Sequence, residues 1–389
     1  SAMDLHVDQR HRPDPRQDRL EPPVIEDGGF DSPAGVGSTF RRSSGHAREH
    51  PVSATPLRRA IRGLTLIELL VAMAVGLVVV VAAVSALTVA RRGFTTVDAA
   101  SQLRDNGRFA ADMIQRIGVQ TGYRDVFFAA TPRQPTTTDP APSIMGFNNA
   151  KVNLTSPLTS STARPATEAG TGSDVLIMRY QPAQIHTMTV SSTDADKTMI
   201  DCAGNAPATV ADINTTAARD TLMASVFSVG VNQGEPTLMC TYYDSATSAW
   251  LSSPIVQGVE NFQVLYGVDG VTAKTVTAAG AASPNVPNAY LRADQIVVDG
   301  NSTATNANWR RVRSVRIGMV LRSAKGAAQD SQTQTFYPFG PTKGSATGTA
   351  GSAFADATND PGTVFQPTPD GRLRQTLTFT IHLRNDQGL

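Results

Sequence analysis

Gly63-Leu64-Thr65-Leu66-Ile67-Glu68-Leu69-Leu70 opens an apolar run that reaches Ala90, and the reading of this stretch decides the fold. Across residues 64–90 the sole ionisable side chain is Glu68. At about 1.5 Å per helical residue the run exceeds a hydrocarbon core of about 30 Å, so it is long enough to anchor the chain in a membrane. Arg58, Arg59 and Arg62 stand before it and favour a cytoplasmic N-terminal side, with Arg91 and Arg92 beyond it as a weaker counterweight. A lone carboxylate in hydrocarbon costs at least about 2–3 kcal/mol, so Glu68 calls for a partner. Cleavage after Gly63 would supply one: an α-amino group on Leu64, one helical turn away, on this chain or on a neighbour. An ordinary secretory signal, cut near Val84-Ser85-Ala86, would need only about 7–15 apolar residues and would have no use for Glu68. A plain single-pass anchor leaves the carboxylate equally unexplained.

The segment Gly63-Leu64-Thr65-Leu66-Ile67-Glu68-Leu69, with basic residues before it and an uninterrupted apolar helix after it, resembles the class III signal of type IV pilins and type II secretion pseudopilins. Leu64 stands where phenylalanine is commoner. The resemblance implies that a prepilin peptidase cuts between Gly63 and Leu64 on the cytoplasmic side and methylates the new N-terminus, leaving the apolar segment attached as a filament-core helix. Residues 1–63 are then a leader removed on maturation. Their seven prolines, mixed charges and scarce large apolar residues predict disorder up to residue 57, and Val52 is a possible alternative start that would give a twelve-residue leader. His6, His11, His46 and His50 lie there without metal-ligand spacing.

From Arg91 to Tyr123 the pattern becomes amphipathic. Val97, Ala100, Leu103, Gly107, Ala110, Ile114 and Ile117 recur every three or four residues, with charged residues between them. No proline occurs from Leu64 to Ala130, so residues 64–90 and 91–123 read as two halves of one helix, with Gly76, Gly93 and Gly107 as weaker points. The stretches Gln102 to Ala110, Gly122-Tyr123, Gly258 to Gly267, Trp309 to Arg322 and Leu383-Arg384-Asn385 narrow the resemblance to PilW-type minor pilins.

Residues 124–389 read as a β-rich head. Strands are expected over residues 174–180, 185–190, 222–230, 237–243 and 255–268. Two further segments alternate cleanly: Val315, Ile317, Met319 and Leu321 share one face, as do Leu377, Phe379, Ile381 and Leu383. Residues 131–173 and 341–370, rich in Thr, Ala, Pro or Gly, read as long loops. The expected fold class is α+β: a long N-terminal helix packed on an antiparallel sheet, with an inserted β-rich subdomain around Cys202 and Cys240. These are the only two cysteines, and in an oxidising periplasm they are expected to form a disulfide.

The net charge of +1 gives no sign of a nucleic-acid partner, and 29 of the 34 basic residues are arginines spread along the chain. After Gly63 only His186 and His382 remain, neither in a nucleophile motif, so no catalytic residue is assigned. There is no phosphate-binding loop and no metal-ligand cluster, and no cofactor is expected. Asp269-Gly270 and Asp299-Gly300-Asn301 read as turns before calcium ligands. The resemblance therefore implies a structural subunit: a minor pilin in the inner membrane with a periplasmic head, built into a priming complex at a pilus tip. Its partners would be other minor pilins, the major pilin, prepilin peptidase and the pilus assembly machinery. The alternatives are a type II secretion pseudopilin and a pilus-borne adhesive or DNA-binding module.

Overall fold

The computed structural model describes residues 63–124, 139–185, 193–207, 209–210, 221–278, 280–281, 283–328, 332–340 and 362–385. Residues 1–62 of the leader, residues 131–138 of the first expected loop, His186 and residues 341–361 of the second expected loop lie outside them.

Helix α1 (Leu66–Gln120) is continuous for 55 residues, roughly 80 Å. With no proline to break it, the three glycines named above are absorbed without interruption. Its buried face comprises Ala99, Leu103, Gly107, Ala110, Ala111, Ile114, Ile117 and Gly118. Val97, expected on that stripe, is 70 % exposed, because burial begins two residues later and on a different side of the helix. The helix stops at Gly122, whose φ of 78° is left-handed and whose N–H donates to Arg179 O at 2.9 Å.

The strands are β1 (Ile144–Phe147), β2 (Ala150–Val152), β3 (Ser161–Ala163), β4 (Val175–Tyr180), β5 (Met223–Asn232), β6 (Glu235–Asp244), β7 (Ala249–Gln257), β8 (Val259–Val268), β9 (Ala289–Leu291), β10 (Val312–Arg322) and β11 (Arg374–His382). Two short helices, α2 (Ala293–Ile296) and α3 (Ser302–Trp309), precede β10. One sheet runs β1-β4-β5-β6-β7 and the other β11-β10-β8-β9, with β2-β3 as a separate hairpin, and every pairing is antiparallel. One core joins the α1 stripe to both sheets, bringing Ile114 and Ile117 together with Met178, Phe227, Leu238, Phe262, Val315 and Ile317. Within it, Trp309 meets Tyr266 edge-on with ring centroids 4.7 Å apart.

Residues 255–268, expected as one strand, are two. Gly258 turns the chain at φ 90°, and a Cβ there would lie 2.5 Å from Arg322 O, so both conformation and space require glycine. This turn passes the chain from the first sheet to the second. The expected loop 131–173 likewise holds more order than its composition indicates, forming β1 and the β2-β3 hairpin in its described part. Ala150 packs with Val175, Ile177 and Val226 in a second apolar cluster. Two buried arginines fasten this insertion through carbonyls: Arg164 Nη2 donates to Ala150 O and Val229 O, and Arg179 donates to Pro142 O and Leu158 O. Burial lowers both guanidinium pKa values, that of Arg179 to about 10, so Arg179 remains charged at neutral pH. Of the strand expected over 185–190, the described part is one residue; the neighbouring Gln184 makes an isolated bridge to Ala195.

Candidate functional site

The expected processing junction Gly63-Leu64-Thr65 is extended and exposed and leads into α1 at Leu66. Glu68 lies in the first turn of the helix. It shares a face with Ala72, Val75 and Gly76, whose small or β-branched side chains leave room for another helix beside the carboxylate. The most apolar window of α1 has a mean hydropathy of 2.8, and none of it is buried by the chain itself. The polar side chains within this half bond inward, Ser85 Oγ donating to Val81 O at 2.8 Å and Thr88 Oγ1 to Val84 O at 2.7 Å, as a lipid-facing helix requires. The surface offered for anchoring and packing is thus apolar apart from Glu68 and the hydroxyls of Thr65, Ser85 and Thr88. Apolar exposure continues past Arg91 and Arg92 to Phe94 and Val97.

The other half of α1 is fastened to the head at several levels. Thr96 Oγ1 donates to Ala327 O at 2.8 Å. Gly107 lies over Leu377 and Leu321, and Gly118 over Ile381. At the end, Gln120 exchanges two hydrogen bonds with the Ile200 backbone, N–H to Oε1 at 2.9 Å and Nε2 to carbonyl at 3.3 Å, while Asn385 Nδ2 donates to Val119 O at 2.8 Å. Two residues beyond Ile200, Cys202 is bonded to Cys240 of β6 with a Cα–Cα distance of 5.8 Å. The disulfide therefore ties the segment that receives the helix end to β6 of the first sheet. Asp201 beside it has its pKa raised by burial, opposed by hydrogen bonds from Asn205, Ala203 and Gly204.

Two groups that join the sheets left no trace in sequence spacing. Asp174, buried at the head of β4, accepts from Val264 N–H of β8 and Asn149 N–H, both at 2.8 Å, while its own N–H donates to Phe262 O. At the start of β8, Glu235, Glu260 and Asp370 alternate with Arg322, Arg372 and Arg374. The contacts run from Arg374 Nε to Glu260 at 2.6 Å, through Arg372 Nη2 to Glu235 at 2.7 Å, to Arg322 Nη1 to Glu260 at 2.9 Å. Burial alone would raise the Glu235 and Asp370 carboxyls; hydrogen bonds from the arginines prevail and hold both below the ordinary carboxylate range. Of the calcium candidates, Asp269 Oδ2 takes Ser283 Oγ–H and the Asn285 N–H, and Asn301 caps α3 by accepting from Ala304 N–H. Both organise local chain. Among the described residues no cluster of metal ligands is formed. His382 is exposed on β11.

The family described as type IV pilus-assembly protein W matches residues 226–385, from β5 through the last contact with α1. The prokaryotic N-terminal methylation motif matches residues 58–84, covering the junction and the first half of the anchor. No curated protein matches the chain by sequence. Among solved structures, a type IV-like pilin from Thermus thermophilus, TTHA1219, is 13 % identical over 73 % of this chain and 97 % of that one, with a TM-score of 0.33, a likeness too distant to bear on function. With a methylation motif leading into a lipid-length helix and a PilW region packed on that helix, the two matches together support a PilW-type minor pilin of type IV pili.

Proposed function

We propose that this minor pilin is cut between Gly63 and Leu64, stays in the inner membrane with its head in the periplasm, and enters a priming complex at the pilus tip with other minor pilins. The observation that carries the reading is one rigid helix with an exposed aliphatic half and a buried half fixed to the head. Such a helix leaves lipid only for a bundle of similar helices, and packing and polar pairing, not hydrophobicity, then distinguish bundle from bilayer. Glu68 supplies the polar pairing, accepting the N-terminal amine of Leu64 from its own or a neighbouring subunit. The Cys202–Cys240 disulfide accords with an oxidising compartment for the head. The match to a pilus-assembly family favours the pilus over the secretion pseudopilus.

The test is Glu68→Ala. Processing, read by intact mass of the mature N-terminus, is expected to persist while surface piliation falls at least tenfold. Normal piliation would reject the pairing. A mature N-terminus downstream of Ala86 would reject the filament role altogether.

A further inference from the structure

We propose that the underside of the head rests on the headgroup layer of the membrane, where Arg92 and Lys325 hold the phosphates of anionic phospholipids. The length of chain between anchor and head sets the geometry. Arg91 and Arg92 are the first charges after Glu68, and the cost of carrying a guanidinium into hydrocarbon keeps them at its boundary. Thr96, bonded to Ala327 O at 2.8 Å, already belongs to the head. Residues 91–95 therefore span about 7–8 Å of helix axis, and a bilayer of about 40–45 Å around a core of about 30 Å has a headgroup layer of about 5–8 Å on each side. The head thus meets the lipid surface directly. The exposed ring of Phe94 falls within the same layer, where lipid can cover it.

The fold delivers residues 324–328 to that layer. Contacts of Gly107 with Leu377 and of Gly118 with Ile381 show that β11 runs alongside α1 and in the same direction, away from the anchor. Strand β10 is antiparallel to β11, so it runs toward the anchor and ends in this loop. The Gly326 and Ala328 N–H groups both donate to Gly371 O and hold the loop beside the start of β11, with Ala324, Lys325 and Gly326 exposed. Arg92 lies one turn before Thr96 on the face of α1 that meets the loop. Charge selects the occupant. The carboxylates at this end are engaged: Glu235, Glu260 and Asp370 pair with Arg322, Arg372 and Arg374, and Asp98 Oδ2 accepts from Gln102 Nε2 at 3.0 Å. Among the described residues, no group bonds to the side chains of Arg91, Arg92 or Lys325. Each such cation at an anionic lipid surface strengthens attraction by about fivefold.

This inference rests on α1 being a membrane anchor and not on cleavage or the tip position. The full chain is placed in nanodiscs of equal phosphatidylcholine and phosphatidylglycerol, with photoreactive benzoylphenylalanine in place of Ala324, and lipid adducts are read by intact mass. Adducts to phosphatidylglycerol are expected to outnumber those to phosphatidylcholine by about fivefold or more, and the ratio to fall toward one in the double variant Arg92→Gln, Lys325→Gln. The melting midpoint and the Cys202–Cys240 bond report folding; if either changes, Lys325→Gln alone carries the same test. No lipid adduct, an adduct to a second copy of the chain, equal adducts to the two lipids in the unaltered sequence, or a ratio indifferent to the variants would overturn the proposal. Benzoylphenylalanine in place of Val80, within the apolar span, separates the two readings. No lipid adduct there rejects the anchor itself, whereas an adduct at Val80 with none at Ala324 rejects the resting head alone.

Discussion

Gly118 of α1 and Ile381 of β11 approach so closely that a methyl group placed on the glycine would lie 2.7 Å from Ile381 Cγ2. The helix gives up side chain here to let the strand in. Gly118→Val is therefore expected to lower stability by about 1–3 kcal/mol through overpacking, measured by urea unfolding of the mature protein in mild detergent. Gly76→Ala, where nothing lies within 4 Å, should leave that stability unchanged or raise it slightly.

The junction makes a separate prediction. Gly63→Asp places a charged side chain at the residue preceding the proposed scissile bond and is expected to hold the chain as uncleaved precursor in the membrane. Immunoblotting of membrane fractions checks this, and a mature-sized band would contradict the cleavage site.

Removing the cross-link tests how the helix end is held. The double variant Cys202→Ser, Cys240→Ser is expected to lose on the order of 3–4 kcal/mol for a loop of this length. Hydrogen exchange should rise over residues 198–205 first, since Ile200 connects that segment to Gln120. Unchanged protection there would mean that Gln120 holds the segment without help from the disulfide.

Acid should weaken the join between the sheets. Glu235 and Asp370 have folded-state pKa values held below their unfolded ones, so their contribution is present above about pH 4 and is lost as pH falls through the depressed values. Thermal melts from pH 7 to pH 2.5 are expected to show a falling midpoint below pH 4. With Glu235→Gln the midpoint at pH 7 should be lower and the acid decline shallower.

Much of this architecture was legible because it is written locally. The Gly63 to Leu69 motif, the proline-free run and the stripe from Leu103 to Ile117 each follow from spacing along one element. The alternation in residues 315–321 and 377–383 gave the strands that lie nearest the helix. What escaped depends on partners distant in sequence. Gly258 looked like one small residue in an apolar run, and only the approach of Arg322 shows why it must turn. The composition of residues 139–173 reads as loop because its order comes from Arg164 and Arg179 bonding to carbonyls far along the chain. The carboxylates Glu235, Glu260 and Asp370 are scattered in sequence and meet their arginines only once two sheets are stacked.

The shared direction of α1 and β11 has a mechanical consequence. When a pull acts on the helix along its axis, the load reaches the head as shear along the full interface from Leu103 to Ile117, and the contacts bear it together. A pull across that interface would peel them apart one after another. The glycine notches at 107 and 118, each filled by a β11 side chain, act as interlocking teeth against sliding, so the head resists traction most strongly along the helix axis.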